Sequence, residues 1–191
     1  MTYPVIISGT GFSGKTAVCL GLFQKLQEMG LRVGYFKPIG VGFKTVEGRR
    51  VDPDTVLMKE VMSIKESLEV ITPITLGKWY LELLLEDSKL VEKVREAYKE
   101  ISKDKDIILI EGPPRPEMLT CRQCDVPHLS KDLDAKVVLV VKGIGDEVAE
   151  EAVLYKNLID AAGGNLMGVV FNFVPRQVIE RVRGMLIPAM N

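Results

Sequence analysis

One segment narrows the folding options of this chain more than any other. Residues Gly9-Thr10-Gly11-Phe12-Ser13-Gly14-Lys15-Thr16 match G-x-x-x-x-G-K-[ST] and lie between an apolar run, Val5-Ile6-Ile7, and the start of a helical pattern. Strand, loop, helix is the context this pattern needs. Its glycines let the backbone curl until successive N–H groups point inward as an anion nest. The helix N-terminus adds partial positive charge. In such a loop Lys15 reaches terminal phosphates as a point charge, and the Thr16 hydroxyl is a Mg²⁺ ligand. The competing reading, a glycine-rich turn with a chance Lys-Thr, is opposed by the agreement of pattern and context. Because the loop serves ATP and GTP alike, Mg²⁺ and ATP are the expected cofactors, with GTP left open.

The remaining sequence supplies the sheet on which such a loop sits. Short β-rich runs recur at 33–36, 107–110, 137–141 and 168–173, apolar on both faces as in central strands of a parallel sheet. Helical patterns lie between them. The first spans about 14–29, with Ala17, Val18, Leu22, Leu26 and Met29 as its apolar face, and stops at Gly30. A second covers about 88–101, with Leu90, Val91, Val94, Ala97, Tyr98 and Ile101 on one stripe. A third covers about 147–162, with Val148, Ala152, Leu158 and Ile159 recurring at helical spacing before Gly163-Gly164. This alternation predicts an α/β fold with a doubly wound, mostly parallel sheet. The stretch 44–85 reads less clearly: a loop, a helix near 55–62 and an irregular segment around Pro73.

At 191 residues the chain fits one domain, 1–191. The short last element, 176–191, is consistent with a chain cut from a longer protein. The formal net charge of −1 gives no global basic field for a nucleic-acid partner. The longest apolar runs, near 81–85 and 137–141, are strand-sized, so no membrane span is expected. No basic stretch precedes an apolar run at the N-terminus, and three cysteines make no disulfide framework. A cytoplasmic location is therefore expected.

A metal site at the loop needs a second acid. The run 106–112 is an apolar strand carrying Glu111 at its carboxyl end, the edge where open parallel sheets bind ligands. Glu111 is the candidate to hold Mg²⁺ directly or through water, against a solvated loop carboxylate as the alternative. Lys37 ends another strand on the same edge; it either neutralises phosphate and anionic substrate or is an ordinary strand-end lysine. Asp52 and Asp54 follow in a polar loop. Either suits a metal, and Asp54 equally suits the cap of the helix after it.

The ordered blocks SGTGFSGKT, GYFKPIG, DPDTVLM, ILIEG, LDAKVVLVV and GVVFNFVP resemble the dethiobiotin synthetase-like group of P-loop proteins. Within that group the likeness is to the N-terminal domain of long phosphate acetyltransferases and its archaeal stand-alone relatives. The resemblance covers nearly the whole chain and implies the P-loop NTPase fold of the dethiobiotin synthetase type. It implies Lys15 and Thr16 on phosphate and Mg²⁺, with Glu111 and Asp54 or Asp52 near the metal. It implies Lys37 as a substrate-activating lysine beside Lys15, and Asn172 of Asn172-Phe173-Val174-Pro175 as the residue that reads the base. It also implies a homodimer. The chain departs from the enzymes after the acidic strand. Where they carry a glycine-rich substrate loop, this sequence has Gly112-Pro113-Pro114-Arg115-Pro116, and prolines offer no N–H donors.

Cys121-Arg122-Gln123-Cys124, followed by His128, offers two thiolates and at most a third ligand. A zinc or iron–sulfur site at Cys121 and Cys124 would need a second copy across a two-fold axis; the plainer reading is a pair of reduced surface thiols. Cys19 reads as core; Phe171 and Phe173, alternating on a strand, read as core in preference to a base-stacking platform, and Arg49-Arg50 as a solvated basic spot in preference to an anion or effector site. Three functions follow in order: a nucleotide-binding regulatory or sensing module acting on a partner or appended domain; an ATP-dependent ligase or carboxylase; and a dimeric ATPase handling a metal or cluster.

Overall fold

The structure is a computed structural model and describes residues 2–42, 44–46, 48–77, 79–81, 89–143 and 145–189. The run expected near 81–85 falls almost wholly outside these residues. Five strands form one parallel sheet: β1 (Tyr3–Gly9), β2 (Val33–Phe36), β7 (Ile107–Glu111), β8 (Lys136–Lys142) and β9 (Asn165–Asn172). Their order is β2-β7-β1-β8-β9, so β1 is central. In register Ile7 stands beside Glu111 and Gly9 beside Val140, which brings the carboxyl ends of β1, β7 and β8 to one edge. Ile6, Ile7, Ile108, Leu109, Ile110, Val137, Leu139 and Val140 are all buried. The expected doubly wound parallel sheet is the one observed.

Helices cover both faces. α1 (Lys15–Glu28) follows the loop and ends where expected, with Gly30 at φ 84 and Leu31 N–H on the Leu26 carbonyl. Its fully buried stripe is Lys15, Cys19 and Phe23, and of the expected face Val18 and Leu26 pack half-buried beside it. Leu22 and Met29 face solvent and Ala17 is exposed. The loop fixes this rotation: α1 must begin with Lys15 turned towards the phosphate cup, and every fourth residue follows it inward. β2 alternates in the way strands do, Tyr35 turning to Glu111 and Phe36 packing at 6.0 Å on Tyr98 of α4 (Leu90–Ile101). α4 buries Leu90, Val94, Ala97 and Ile101, in agreement with its pattern. In α6 (Glu147–Ala161) the buried set is Val148, Ala149, Ala152, Tyr155 and Ile159, while Leu158 is exposed.

The stretch 44–85 holds more order than its sequence suggests. β4 (Lys44–Val46) and β5 (Arg49–Val51) form a hairpin, and α2 (Pro53–Val61) and α3 (Leu68–Ile71) follow. The segment after Pro73 is a strand, β6 (Ile74–Leu76), paired in parallel with β3 (Ile39–Val41). Three-residue strands carry no usable periodicity, and each forms only because the other is held nearby. After β7 come a short turn, Thr120–Arg122, and α5 (Val126–Asp132). Helical turns from Arg176 to Ala189 lay Val182 and Leu186 against Ala149. Among the described residues no helix is long and apolar enough to cross a membrane.

The sheet core predicts its own sensitivity. Ile110→Ala removes a fully buried side chain and should cost about 2–5 kcal/mol of stability, read from the urea midpoint at unchanged m-value.

Candidate nucleotide site

The site is assembled at the carboxyl edge of β1 and β7. The chain leaves β1 at Gly9, whose φ is 142; a Cβ there would meet the Val140 carbonyl oxygen at 2.0 Å. It enters α1 at Gly14, φ 91, where a Cβ would lie 2.4 Å from Asn172 Nδ2. Both positions need glycine for backbone conformation and for close approach. Between them Phe12 takes a left-handed conformation and is 91% exposed. Ser13 is buried, and its hydroxyl has no hydrogen-bond partner among the described residues.

Lys15 folds back onto this loop. Its ammonium donates to the carbonyls of Thr10, at 2.8 Å, and Gly9, at 3.1 Å. Burial pulls its pKa below the ordinary lysine value; Glu111 opposes the shift and Lys37 adds to it. The ammonium is thus held at the mouth of the loop by carbonyl dipoles, which phosphate oxygens can replace.

Glu111 is the centre of the polar cluster. Oε1 accepts from the Thr16 hydroxyl at 2.9 Å and pairs with Lys37 at 3.3 Å, and Oε2 accepts from Tyr35 at 2.9 Å. Burial, then the Glu111 charge, push the Tyr35 phenol well above its usual pKa, so it stays a donor. Lys37 also donates to Asp52, at 3.1 Å, and Asp54, at 2.8 Å. Burial alone would lower the Lys37 pKa, but Glu111, Asp52 and Asp54 outweigh it and hold the ammonium above the usual lysine range. The ammonium thus hydrogen-bonds two carboxylates and pairs with a third.

The two aspartates divide their tasks differently from expectation. Asp52, not Asp54, caps α2: Oδ1 accepts from Thr55 N–H and Oδ2 from Val41 N–H. Asp52 is buried and fully engaged, whereas the Asp54 side chain is half exposed on the cleft. The donor set fits a hard divalent cation: the Thr16 hydroxyl and the carboxylates of Asp54 and Glu111 are all oxygen ligands on one cleft. Two ammonium groups against three carboxylates leave the cluster net negative. The cleft has a volume of about 630 Å³ and is bounded by Gly11, Gly14, Val41, Pro114 and Phe173 besides the charged groups.

Other expected residues lie elsewhere or behave differently. The Asn172 amide donates to the Ser13 carbonyl at 2.9 Å, and its oxygen accepts from Phe173 N–H at 3.0 Å. Pro175 is exposed and starts the turn Arg176–Val178. Phe173 is not core, as its alternation with Phe171 suggested; it is 64% exposed and lies on the cleft. Cys124 is likewise not a surface thiol. It is buried, burial pushes it up to about 11, and Cys121 is exposed, so the pair does not present two thiolates to one ligand. His128 pairs with buried Asp125, which also accepts from Thr120. Cys19 is core as expected. Tyr35 is the contributor that sequence pattern misses: it sits in a uniformly apolar run, and only the β2–β7 pairing brings it to Glu111.

A glycine loop feeding a helix N-terminus, with an acid on the neighbouring parallel strand, defines a P-loop NTPase fold. Residues 4–187 match the AAA domain family, and the chain belongs to it. It is 30% identical over 181 residues to a phosphate acetyltransferase of Pseudomonas aeruginosa, covering 88% of this chain and 24% of that protein. It is 28% identical over 185 residues to the ATP-dependent dethiobiotin synthetase BioD of Clostridium kluyveri, covering 90% of this chain and 75% of that one. The chain thus spans about a quarter of the phosphate acetyltransferase it matches. Among solved structures, the kinase domain of Escherichia coli tyrosine kinase ETK has the same fold, with a TM-score of 0.60 at 18% identity, over 92% of this chain and 69% of that one. The chain is a P-loop nucleotide-binding domain related to dethiobiotin synthetase and to the N-terminal region of phosphate acetyltransferase.

The buried cation predicts a measurable stability change. Lys37→Met leaves Asp52 and Glu111 facing one another without a counter-charge and should destabilise by about 3–5 kcal/mol at pH 7. The folded-state pKa of Lys37 is raised, so its contribution is full below its ordinary value of 10.5 and is lost only as pH rises beyond it. The gap between the thermal melts of wild type and variant should therefore be constant up to about pH 10 and begin to narrow towards pH 12.

Proposed function

We propose that this domain binds a magnesium–nucleotide, ATP in the first instance, and reports the bound state to a partner or appended domain. The observation that carries this is the Lys15-capped loop beside the Thr16–Glu111 hydrogen bond. In the bound state Lys15 and the loop amides hold the phosphates. Thr16, Asp54 and Glu111 would hold Mg²⁺, whose charge would offset that of the phosphates. A cation bound there would draw on lone pairs of the Thr16 and Glu111 oxygens and so alter their mutual hydrogen bond.

That change has a route outwards. Glu111 is followed by Gly112, whose N–H is on the Ile7 carbonyl, and by the proline-rich loop, where the Pro116 carbonyl accepts from Val126 at the head of α5. The route is short, covalent and stiffened by proline. A regulatory role is supported by two features that disfavour ligase chemistry. The loop after Glu111 contains Pro113, Pro114 and Pro116 and lacks their N–H donors, and the Lys37 ammonium is hydrogen-bonded to Asp52 and Asp54 and paired with Glu111.

The second reading, an ATP-dependent ligase or carboxylase, is favoured by one observation: the match to dethiobiotin synthetase spans most of both chains. Lys37 and Lys15 would then stabilise an anionic intermediate. The cluster-handling reading rested on Cys121 and Cys124 and is not carried forward.

Lys15→Ala should abolish tight MgATP binding in calorimetry, since Lys15 alone bridges the loop carbonyls; unchanged affinity would defeat the proposal. Wild-type protein should bind MgATP with negligible phosphate release, and sustained release stimulated by a diamino acid plus bicarbonate would transfer the assignment to the ligase. Light scattering of the same preparation reads the expected homodimer.

A further inference from the structure

We propose that the exposed ring of Phe173 is the platform on which the nucleotide base stacks, held in place by Asn172, which also braces the phosphate loop. This rests on the nucleotide-binding reading above and names the base-recognising group of the same site.

Four observations carry it. Phe173 is a large apolar side chain left 64% exposed on the cleft that holds Lys15 and Thr16. Its ring lies against the loop–helix junction: a Cβ at Gly14 would stand 3.2 and 3.4 Å from two of its ring carbons. Its backbone is held at φ 57, a conformation that non-glycine residues avoid unless their surroundings impose it. The imposing contact is visible, since Phe173 N–H donates to Asn172 Oδ1 while Asn172 Nδ2 holds the Ser13 carbonyl. Phe171, two residues earlier, packs into the core, so the left-handed turn at Phe173 is what sends the second ring outwards.

The chemistry of the ligand follows. One N–H and one lone pair of the Asn172 amide are engaged within the protein, which leaves one of each for a base edge. Next to it the phosphate cup is flanked by the apolar π-face of Phe173, whose complement is a nucleobase. Stacking is tolerant because every base has a π-face. The ring should therefore make the site distinguish nucleoside triphosphate from bare polyphosphate strongly, and add little to any distinction of ATP from GTP.

The test is calorimetry of wild type, Phe173→Ala, Phe173→Trp and Asn172→Ala with MgATP, MgGTP and magnesium tripolyphosphate. Phe173→Ala should weaken ATP and GTP alike by roughly 5- to 100-fold, the size of one aromatic–base stack, and leave tripolyphosphate unchanged. Phe173→Trp should keep ATP affinity, and its new indole should be quenched by ATP but not by tripolyphosphate; the chain has one other Trp, Trp79, as an internal reference. Asn172→Ala, which removes a brace from the phosphate loop, should weaken all three ligands. The inference is overturned if Phe173→Ala leaves ATP affinity unchanged or if it weakens tripolyphosphate as much as ATP. Wild-type protein that binds neither ATP nor tripolyphosphate would instead overturn the nucleotide-binding reading itself.

Discussion

The Glu111 carboxylate is the group around which this domain is organised. It accepts from Thr16 in the first turn of α1 and from Tyr35 on β2, and it pairs with Lys37 beyond the end of β2. Lys37 in turn joins it to Asp52 and Asp54 at the head of α2. A charge this deeply buried is tolerable only when its oxygens are matched by donors. Here the partners come from α1 and from the end of β2, and Lys37 carries the link on to α2. Satisfying one carboxylate therefore fixes the positions of α1, β2 and α2 against β7, and these are the pieces that surround the cleft.

The phosphate loop depends on the same frame from its other side. Gly9 approaches the Val140 carbonyl on β8, Gly14 lies beneath Asn172 and Phe173 at the end of β9, and Asn172 holds the Ser13 carbonyl. The loop is thus braced by strands on one flank and by the Glu111 cluster on the other. Such bracing lets backbone N–H groups be pre-aimed instead of being ordered when a ligand arrives, which reduces the entropic cost of binding. It also links ligand state to the Pro113–Pro116 segment, since Glu111 belongs both to the cluster and to the strand that feeds it.

Membership of the AAA domain family and the likeness to phosphate acetyltransferase and dethiobiotin synthetase fix the kind of domain. They leave the task of the domain to its own chemistry. A proline-rich loop, a Lys37 held among three carboxylates and an outward-facing Phe173 are the features on which the proposed nucleotide-binding role rests.

The sequence by itself determined the loop, the strand run that carries Glu111, the helix stop at Gly30 and the parallel arrangement, because each is a local pattern of residue type and spacing. Lys15, Thr16, Glu111 and Lys37 were legible for the same reason. Tertiary structure alone decided which partners those groups meet. Tyr35 reaches Glu111 only through the β2–β7 pairing, Asp52 instead of Asp54 takes the helix cap, and α1 buries the stripe that follows Lys15. Phe173 leaves the core and Cys124 enters it through backbone turns that hydrophobicity does not encode. Local pattern reports what a segment prefers, whereas burial and pairing depend on contacts between segments far apart in the chain, and those exist only once the sheet has closed around them.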